Sequence, residues 1–184
     1  MLSIVDQIIF NFSNNKSLYI GEDLTIAEHM IQTAMLAEKK QCSDDLICSS
    51  LLHDYGHFVI EDPKQLVTDK IDGRHEIIGA NYLKKFFHNE IIEPILLHVE
   101  AKKYLSRDKK YLNTLSDASK ISLKLQGGAM SDLDAKKFEQ NKITDINSFE
   151  KNLIFSWSII IIENGIVNRQ IKYNIGNILL ALLK

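Results

Sequence analysis

The sequence contains little cysteine and little proline. Its two cysteines, Cys42 and Cys48, do not form a CxxC pair, which excludes a disulfide framework and a cysteine-rich zinc site and leaves two reduced thiols as the expectation. With only two prolines in 184 residues, few positions break a helix, and apolar residues recur at three- and four-residue spacing. This pattern predicts a mostly helical, all-α chain.

The sequence also lacks an excess of one charge and lacks long apolar runs. Lys and Arg number 22 against 24 Asp and Glu, a formal net charge of −2, which gives no indication of a nucleic-acid surface. The apolar runs at 159–162 and 178–183 fall far below the roughly 18 residues of a membrane span. One local basic cluster is interpreted mainly as a solvated helix end and loop. Its members are Lys102, Lys103, Arg107, Lys109 and Lys110.

The length favours a single domain over residues 1–184, atypical from about residue 158. The first 12 residues are apolar but carry Asp6, and they lack a basic leader and a small-residue cleavage site. They predict a first helix and not a signal peptide, so the expected location is the cytoplasm.

Capping patterns predict where the helices begin. Thr25 and Glu28 fit a capping box for a helix to about Gln41, Ser43 can cap a helix over 44–57, and Asn89 can cap one over 90–105 that contains Pro94. Further helices are predicted at 2–12, 74–87 and 117–126, with a short one after Ser131. Loops are predicted at 13–24, 58–73 and 106–114, and residues 147–163 fit a helix or a strand. In the helix after Thr25, a narrow buried stripe is predicted from Ile26, Met30, Thr33, Ala34 and Ala37.

Four histidines recur at 22- to 24-residue spacing, each at a different predicted helix: His29, His53, His75 and His98. Helices that return to one level of a bundle bring such residues to one centre. Asp54 directly follows His53, and a carboxylate has two oxygens, so it can bridge two metal ions. A lone histidine on an apolar helix is more often a hydrogen-bonded core residue, but the repeated pattern favours metal ligands. His57, one turn after His53, is a candidate to orient a ligand or contact a substrate.

Seven segments carry a resemblance to a known family: YIGE at 19–22, EHMIQTAMLAE at 28–38, LLHDYGH at 51–57, HEIIGANYL at 75–83, LHVEAKKYL at 97–105, LSDAS at 115–119 and LQGGAM at 125–130. Over about residues 19–157 the chain resembles the HD-domain superfamily. Within it, the chain is similar to the phosphonate-cleaving mixed-valent diiron oxygenases of the amino-hydroxyethylphosphonate oxygenase type. The HD pair alone is unspecific, whereas the other segments together are much more specific.

The resemblance implies a helical HD-domain bundle with a dinuclear metal site in its core. His29, His53 and Asp54 would bind one iron, and Asp54, His75 and His98 would bind the other, as a mixed-valent Fe(II)/Fe(III) pair. Imidazole and carboxylate also suit other divalent metals. The implied reaction uses O2 to cleave the carbon–phosphorus bond of an α-hydroxylated organophosphonate, releasing phosphate and a carboxylic acid. The implied partners are this substrate and O2, with the protein a monomer or a homodimer.

The resemblance also implies a substrate site. Tyr19 and Glu22 would form a recognition loop, with the tyrosine closing the site or touching iron in the absence of substrate. Lys102 would bind the phosphonate oxygens, and it lies one helical turn past His98 on the same face. Its implied helpers are Ser119, Ser122 and Gln126. The alternatives are a plain surface loop at 19–22, a solvated Lys102, and a simple helix stop at Gly127-Gly128.

One position departs from the family pattern. The family carries an aspartate after a late tryptophan as the remaining ligand of the first iron, whereas Trp157 is followed here by Ser158. Asp145 and Glu163 are weak substitutes. Two alternative functions therefore stand beside the oxygenase: an HD phosphohydrolase acting on a phosphate monoester, and a degenerate, non-catalytic HD protein, which Ser158 favours.

Overall fold

Helices form every regular element of the chain that the computed structural model describes, residues 2–19, 23–59 and 74–143, apart from one antiparallel bridge between Leu18 and Thr25. In this part of the chain the helices are α1 (Ile4–Asn14), α2 (Ile26–Lys39), α3 (Asp44–Leu52), α4 (Gly56–Val59), α5 (His75–Leu83), α6 (Asn89–Leu105), α7 (Lys109–Thr114), α8 (Asp117–Leu125) and α9 (Asp132–Ile143). The all-α prediction is confirmed. Among these described helices, none has the length and apolarity that crossing a bilayer requires.

Predicted caps begin several of these helices. Thr25 Oγ1 accepts from the Glu28 N–H at 3.1 Å, and the Glu28 carboxylate accepts from the Thr25 N–H at 2.8 Å, which completes the capping box of α2. Ser43 caps α3 through the Leu46 N–H. α1 begins later than predicted, because Ser3 and Asp6 form a capping box of their own.

Further predicted boundaries are wrong, among them the end of the helix predicted at 74–87, which stops at Leu83. The predicted loop at 106–114 contains α7, whose cap is the Asp108 carboxylate accepting from the Lys110 N–H at 2.8 Å. Burial of Tyr111 against Leu115 and Leu123 stabilises this short helix, and the polar local sequence does not reveal that packing. The N-cap of α6 is His88, and Asn89 is its first helical residue.

The predicted helix at 44–57 is interrupted. α3 ends at Leu52, and a tight turn follows in which the Tyr55 N–H donates to the Leu52 carbonyl at 3.0 Å. α4 then begins at Gly56 and includes residues 58 and 59, which were predicted as loop. Most of that predicted loop, together with residues 147–163, lies outside the described residues.

The main core lies between α1, α2, α3, α5 and α6. All five predicted members of the α2 stripe are buried, but the buried face is wider than predicted and also includes Ala27, His29, Met35 and Leu36. Facing it are fully buried aliphatic side chains from the other helices, namely Ile8, Leu51, Leu52, Leu83 and Ile95. Burial of each such side chain stabilises the fold by roughly 1.5–3 kcal/mol, so this core holds in place the helices from which the four histidines project.

Two glycines allow α4 and α5 to touch through their backbones. A Cβ at Gly56 would lie 1.9 Å from the His75 carbonyl oxygen, and a Cβ at Gly79 would lie 2.9 Å from the Gly56 nitrogen. No side chain fits at either position without moving a helix. The Gly56–Gly79 contact therefore sets the distance between the turn that carries Asp54 and the helix that begins with His75.

We predict that Gly56→Ala destabilises the protein by about 3 kcal/mol. The added methyl group would overlap the His75 carbonyl, a backbone group that cannot move aside by rotating a side chain. Gly128→Ala is the matched control: its Cβ would meet nothing within 4 Å, and its φ of +81° adds only about 1 kcal/mol of backbone strain. Urea unfolding followed by circular dichroism measures both changes. Equal stability of the two variants would contradict the close contact.

Candidate metal centre

Five buried side chains from four parts of the fold meet at one centre. His29 lies in the first turns of α2, His53 and Asp54 in the turn after α3, His75 at the start of α5 and His98 within α6. Each of the five is at most 6% exposed. The structure thus brings together all the residues that the sequence predicted as metal ligands.

The carboxylate of Asp54 lies between two pairs of imidazoles. Its Oδ2 is 3.3 Å from His53 Nε2 and 3.7 Å from His29 Nε2. Its Oδ1 is 3.1 Å from His75 Nε2 and 3.5 Å from His98 Nε2. Each oxygen faces one pair, so Asp54 belongs to two candidate ligand triads, one with His29 and His53 and the other with His75 and His98.

The imidazoles of each pair also lie close together. The Nε2 atoms of His29 and His53 are 3.2 Å apart, and those of His75 and His98 are 3.0 Å apart. Nitrogen ligands at about 2.0–2.1 Å from one metal, in tetrahedral or octahedral geometry, are about 3–3.4 Å apart. Both spacings fit a shared metal ion.

Backbone carbonyls determine which ring nitrogen carries the proton in His53 and in His98. His53 Nδ1 donates to the Ser50 carbonyl at 2.8 Å, and His98 Nδ1 donates to the Ile95 carbonyl at 2.7 Å. In the neutral rings, Nε2 then keeps its lone pair and points at Asp54 and at a second imidazole. The Nε2 lone pairs of these two rings and the ionised Asp54 carboxylate face the inside of the two triads, so each triad can accept a cation.

Burial disfavours a proton on these histidines as the cation in either triad. Desolvation lowers the pKa of His29 and of His75 to about 3, and it also lowers the pKa of His98. Burial alone would raise the pKa of Asp54, but its contacts with His53 and His75 outweigh burial and hold that pKa well below its usual range. Neutral imidazoles and an ionised carboxylate are the forms that bind metals. The donor set therefore fits two adjacent metal ions, although it suits iron, manganese or zinc alike.

Two further aromatic side chains cover the histidines. The Tyr19 ring stacks on His29 with centroids 4.2 Å apart, and the His57 ring stacks on His75 at 4.3 Å. Both lie where the sequence predicted contacts with the site. Glu22, predicted beside Tyr19, lies outside the described residues, as do Trp157 and Ser158.

Lys102 is buried, and the interpretation of the basic cluster as solvated is wrong for this residue. Only 6% of Lys102 is exposed, and its Nζ donates to Ser122 Oγ at 3.1 Å. Ser119 and Gln126 are also buried. The structure thus brings Lys102 and Ser122 of the predicted anion site into contact. The other two members are buried, with Ser119 on α8 like Ser122 and Gln126 just after it.

Gly127 and Gly128 end α8. Both have positive φ, and their N–H groups donate to the carbonyls of Lys124 and Leu123 at 3.2 and 2.8 Å. These bonds occupy the two N–H groups that a phosphate contact would need. The structure therefore supports Gly127-Gly128 as a helix stop and not as a phosphate contact.

The sequence reasoning missed Glu76. This residue is 8% exposed, and its Oε2 lies 3.8 Å from His75 Nδ1. At 3.8 Å the two groups are in electrostatic contact but not hydrogen-bonded, so Glu76 places a second buried carboxylate beside the candidate ligand His75. The available signal was an acidic residue directly after a candidate ligand at a helix start, a pattern that is too common to single it out.

A family model of the HD domain matches residues 26–132, more than half of the chain and all five converging residues. The chain belongs to the HD domain family. The matched region covers the adjacent His53-Asp54 pair and most of the described helices.

Two curated proteins are similar to this HD domain. A [1-hydroxy-2-(trimethylamino)ethyl]phosphonate dioxygenase (glycine-betaine-forming) of Leisingera caerulea is 44% identical over 124 residues, which are 67% of this chain and 63% of that protein. A hydroxymethylphosphonate dioxygenase of Gimesia maris is 42% identical over 125 residues, 67% of this chain and 62% of that protein. The similar region thus spans less than two thirds of either relative.

We predict that the metal-free HD domain loses stability as the pH falls from 6.5 toward 3. In this range the unfolded chain protonates histidines that the fold keeps neutral, since His29 and His75 have folded pKa values of about 3 against 6.5. Stability then falls by about 1 kcal/mol per pH unit for each such histidine, and Asp54 adds to the loss only below its unfolded pKa of 3.8. Urea unfolding of chelator-treated protein at pH 7, 6, 5 and 4 measures this slope. His75→Gln should reduce the slope, and an unchanged slope in that variant would contradict the assignment.

Proposed function

We propose that this protein is a metal-dependent oxygenase that cleaves the carbon–phosphorus bond of an α-hydroxylated organophosphonate and releases phosphate and a carboxylic acid. The observation that carries the proposal is the pair of buried triads that share Asp54, in a chain similar to two phosphonate dioxygenases. A shared carboxylate holds two cations side by side, which is the arrangement that a dinuclear cofactor needs.

The proposed cofactor is a pair of iron ions. His29, His53 and Asp54 would hold one, and Asp54, His75 and His98 would hold the other. When bound, the two ions supply the redox chemistry with O2 that no amino-acid side chain can perform. The chain's contribution is to keep the imidazoles neutral, fix their orientation and exclude water from the centre.

The proposed substrate anchor is Lys102. Its ammonium is buried one helical turn beyond His98, and its contact with Ser122 orients it. A buried cation near the metal ligands favours a doubly charged anion such as a phosphonate. Ser119 and Gln126 lie on or just after the same helix as Ser122, and we assign them as further polar contacts of the phosphonate.

Tyr19 and His57 complete the proposed site. Tyr19 covers His29, so its loop would have to move for a substrate to reach this side of the centre. His57 covers His75 and presents an imidazole that can donate to an oxygen of the substrate. Together with Glu22, which would bind the end of the substrate away from the phosphonate, these residues would control how the substrate is oriented and how it enters the site.

A non-catalytic HD protein is the second candidate function, and Ser158 favours it. A serine after Trp157 is a poor replacement for the aspartate that the resemblance implies as the last ligand of the first iron. Loss of an outer-shell partner already lowers metal affinity or activity by about 10–100-fold, and loss of a direct ligand lowers it further.

We expect the protein loaded anaerobically with ferrous iron to release phosphate from hydroxymethylphosphonate or from 1-hydroxy-2-(trimethylamino)ethylphosphonate only when O2 is added. Phosphate analysis with and without O2 measures this. O2-independent release from phosphate monoesters would instead support a phosphohydrolase. Release from neither class, together with more iron retained and activity gained in Ser158→Asp, would support a degenerate site in the natural chain.

We expect Lys102→Ala to weaken phosphonate binding by about 10–100-fold, the effect of removing one charge-assisted hydrogen bond, without loss of iron. Lys103→Ala is the matched control, because it removes the same charge from the neighbouring position of α6. Calorimetric titration with hydroxymethylphosphonate and iron analysis of each variant measure the two quantities. Equal phosphonate affinity in both variants would exclude Lys102 as the anchor.

A further inference from the structure

The residue between the shared carboxylate and the close glycine contact is a fully buried tyrosine. Tyr55 follows Asp54, precedes Gly56 and is 0% exposed. Its N–H donates to the Leu52 carbonyl at 3.0 Å, and its own carbonyl accepts from the Phe58 N–H at 2.9 Å. The position of Tyr55 therefore sets the path of the turn that places Asp54 between the imidazole pairs.

The hydroxyl of Tyr55 is bonded to the N-terminal helix. Asn11 Nδ2 of α1 donates to Tyr55 Oη at 2.7 Å. The next residue of α1, Phe12, packs edge-on against Phe58 with ring centroids 5.5 Å apart. One turn of α1 thus contacts both ends of the segment 55–58, immediately after Asp54.

α1 is well anchored but lies outside the residues that match the HD domain. Ile8 and Phe12 of α1 are buried in the main core at 0% and 4% exposure, whereas the family match begins at residue 26. A rigid helix that reaches the metal-binding turn from outside the matched region can restrict the turn's movement.

We propose that α1 is a brace for the metal centre, in which Asn11 acts through Tyr55 to hold Asp54 where one carboxylate serves both triads. Asn11 and Tyr55 are positioning residues, since neither contacts the proposed metals. The inference rests on the proposed metal binding but not on the oxygenase reaction.

A second bond between α1 and the core provides an internal control. Tyr82 Oη on α5 donates to Gln7 Oε1 on α1 at 3.0 Å. This bond also joins a tyrosine to a side-chain amide of α1, but Tyr82 lies two helical turns from the nearest candidate ligand, His75. The Tyr82 ring also packs against Tyr55, with centroids 5.8 Å apart, and Tyr82→Phe keeps that ring. The variant therefore removes one bond between α1 and the core while leaving the Asn11–Tyr55 bond in place.

The test is a double-mutant cycle on metal affinity, with Mn²⁺ as the probe. Asn11→Leu and Tyr55→Phe remove the two partners with little change of shape, and calorimetry measures Mn²⁺ binding to each single variant, the double variant, Tyr82→Phe and the natural chain. All measurements are made well below the melting temperature of each variant, so that only folded protein is compared.

We expect each single variant to bind Mn²⁺ about tenfold more weakly, near the lower end of outer-shell effects. The double variant should be no weaker than either single variant, and Tyr82→Phe should bind as the natural chain does.

Three results would overturn the brace. The first is unchanged Mn²⁺ affinity in both single variants. The second is an equal loss of affinity in Tyr82→Phe, because the effect would then come from α1 docking in general. The third is full additivity in the double variant. Absence of Mn²⁺ binding by the natural chain would overturn the proposed metal centre along with the brace, whereas a failed oxygenase assay with normal Mn²⁺ binding would leave the brace intact.

Discussion

The convergence of four buried imidazoles on the one carboxylate of Asp54 is the arrangement on which the candidate site depends. Four imidazole nitrogens and two carboxylate oxygens point into one small space, and carbonyls behind His53 and His98 set the tautomers that aim their lone pairs inward. Burial disfavours protons as the compensating charges. Metal ions bound in the two triads would supply the compensating positive charge and would couple part of the fold's stability to their binding.

The helical scaffold meets this constraint through a few close contacts. Backbone contact between Gly56 and Gly79 brings α4 against α5, and the tight turn at 53–55 places two ligands on one loop. Aliphatic packing of α2, α3 and α6 brings the remaining histidines to the same level. None of these contacts is chemically active, yet together they bring candidate ligands from residue 29 to residue 98 within 3.7 Å of one carboxylate.

The buried charges at α6 and α8 would make an anion the favoured guest of the proposed metal centre. The ligands contribute a single carboxylate, two divalent or trivalent cations would outweigh it, and Lys102 adds a further buried positive charge. With two metal ions bound, such a site would favour a multiply charged oxyanion that replaces water. The names of the two similar enzymes, both phosphonate dioxygenases, agree with this electrostatic preference.

The sequence by itself determined the fold class, the capping of α2 and α3, and the candidate ligands, because each follows from local chemistry: helical periodicity, a side chain that caps an N–H three residues away, and evenly spaced histidines beside one aspartate. The tertiary structure alone decided that α7 is helical and that Lys102 is buried. It likewise decided that the helix predicted at 44–57 is interrupted at His53 and Asp54. It also decided which nitrogens of His53 and His98 point inward and that Asn11 bonds to Tyr55. These features depend on contacts between residues far apart in the chain, where packing outweighs local preference, and no local pattern encodes them.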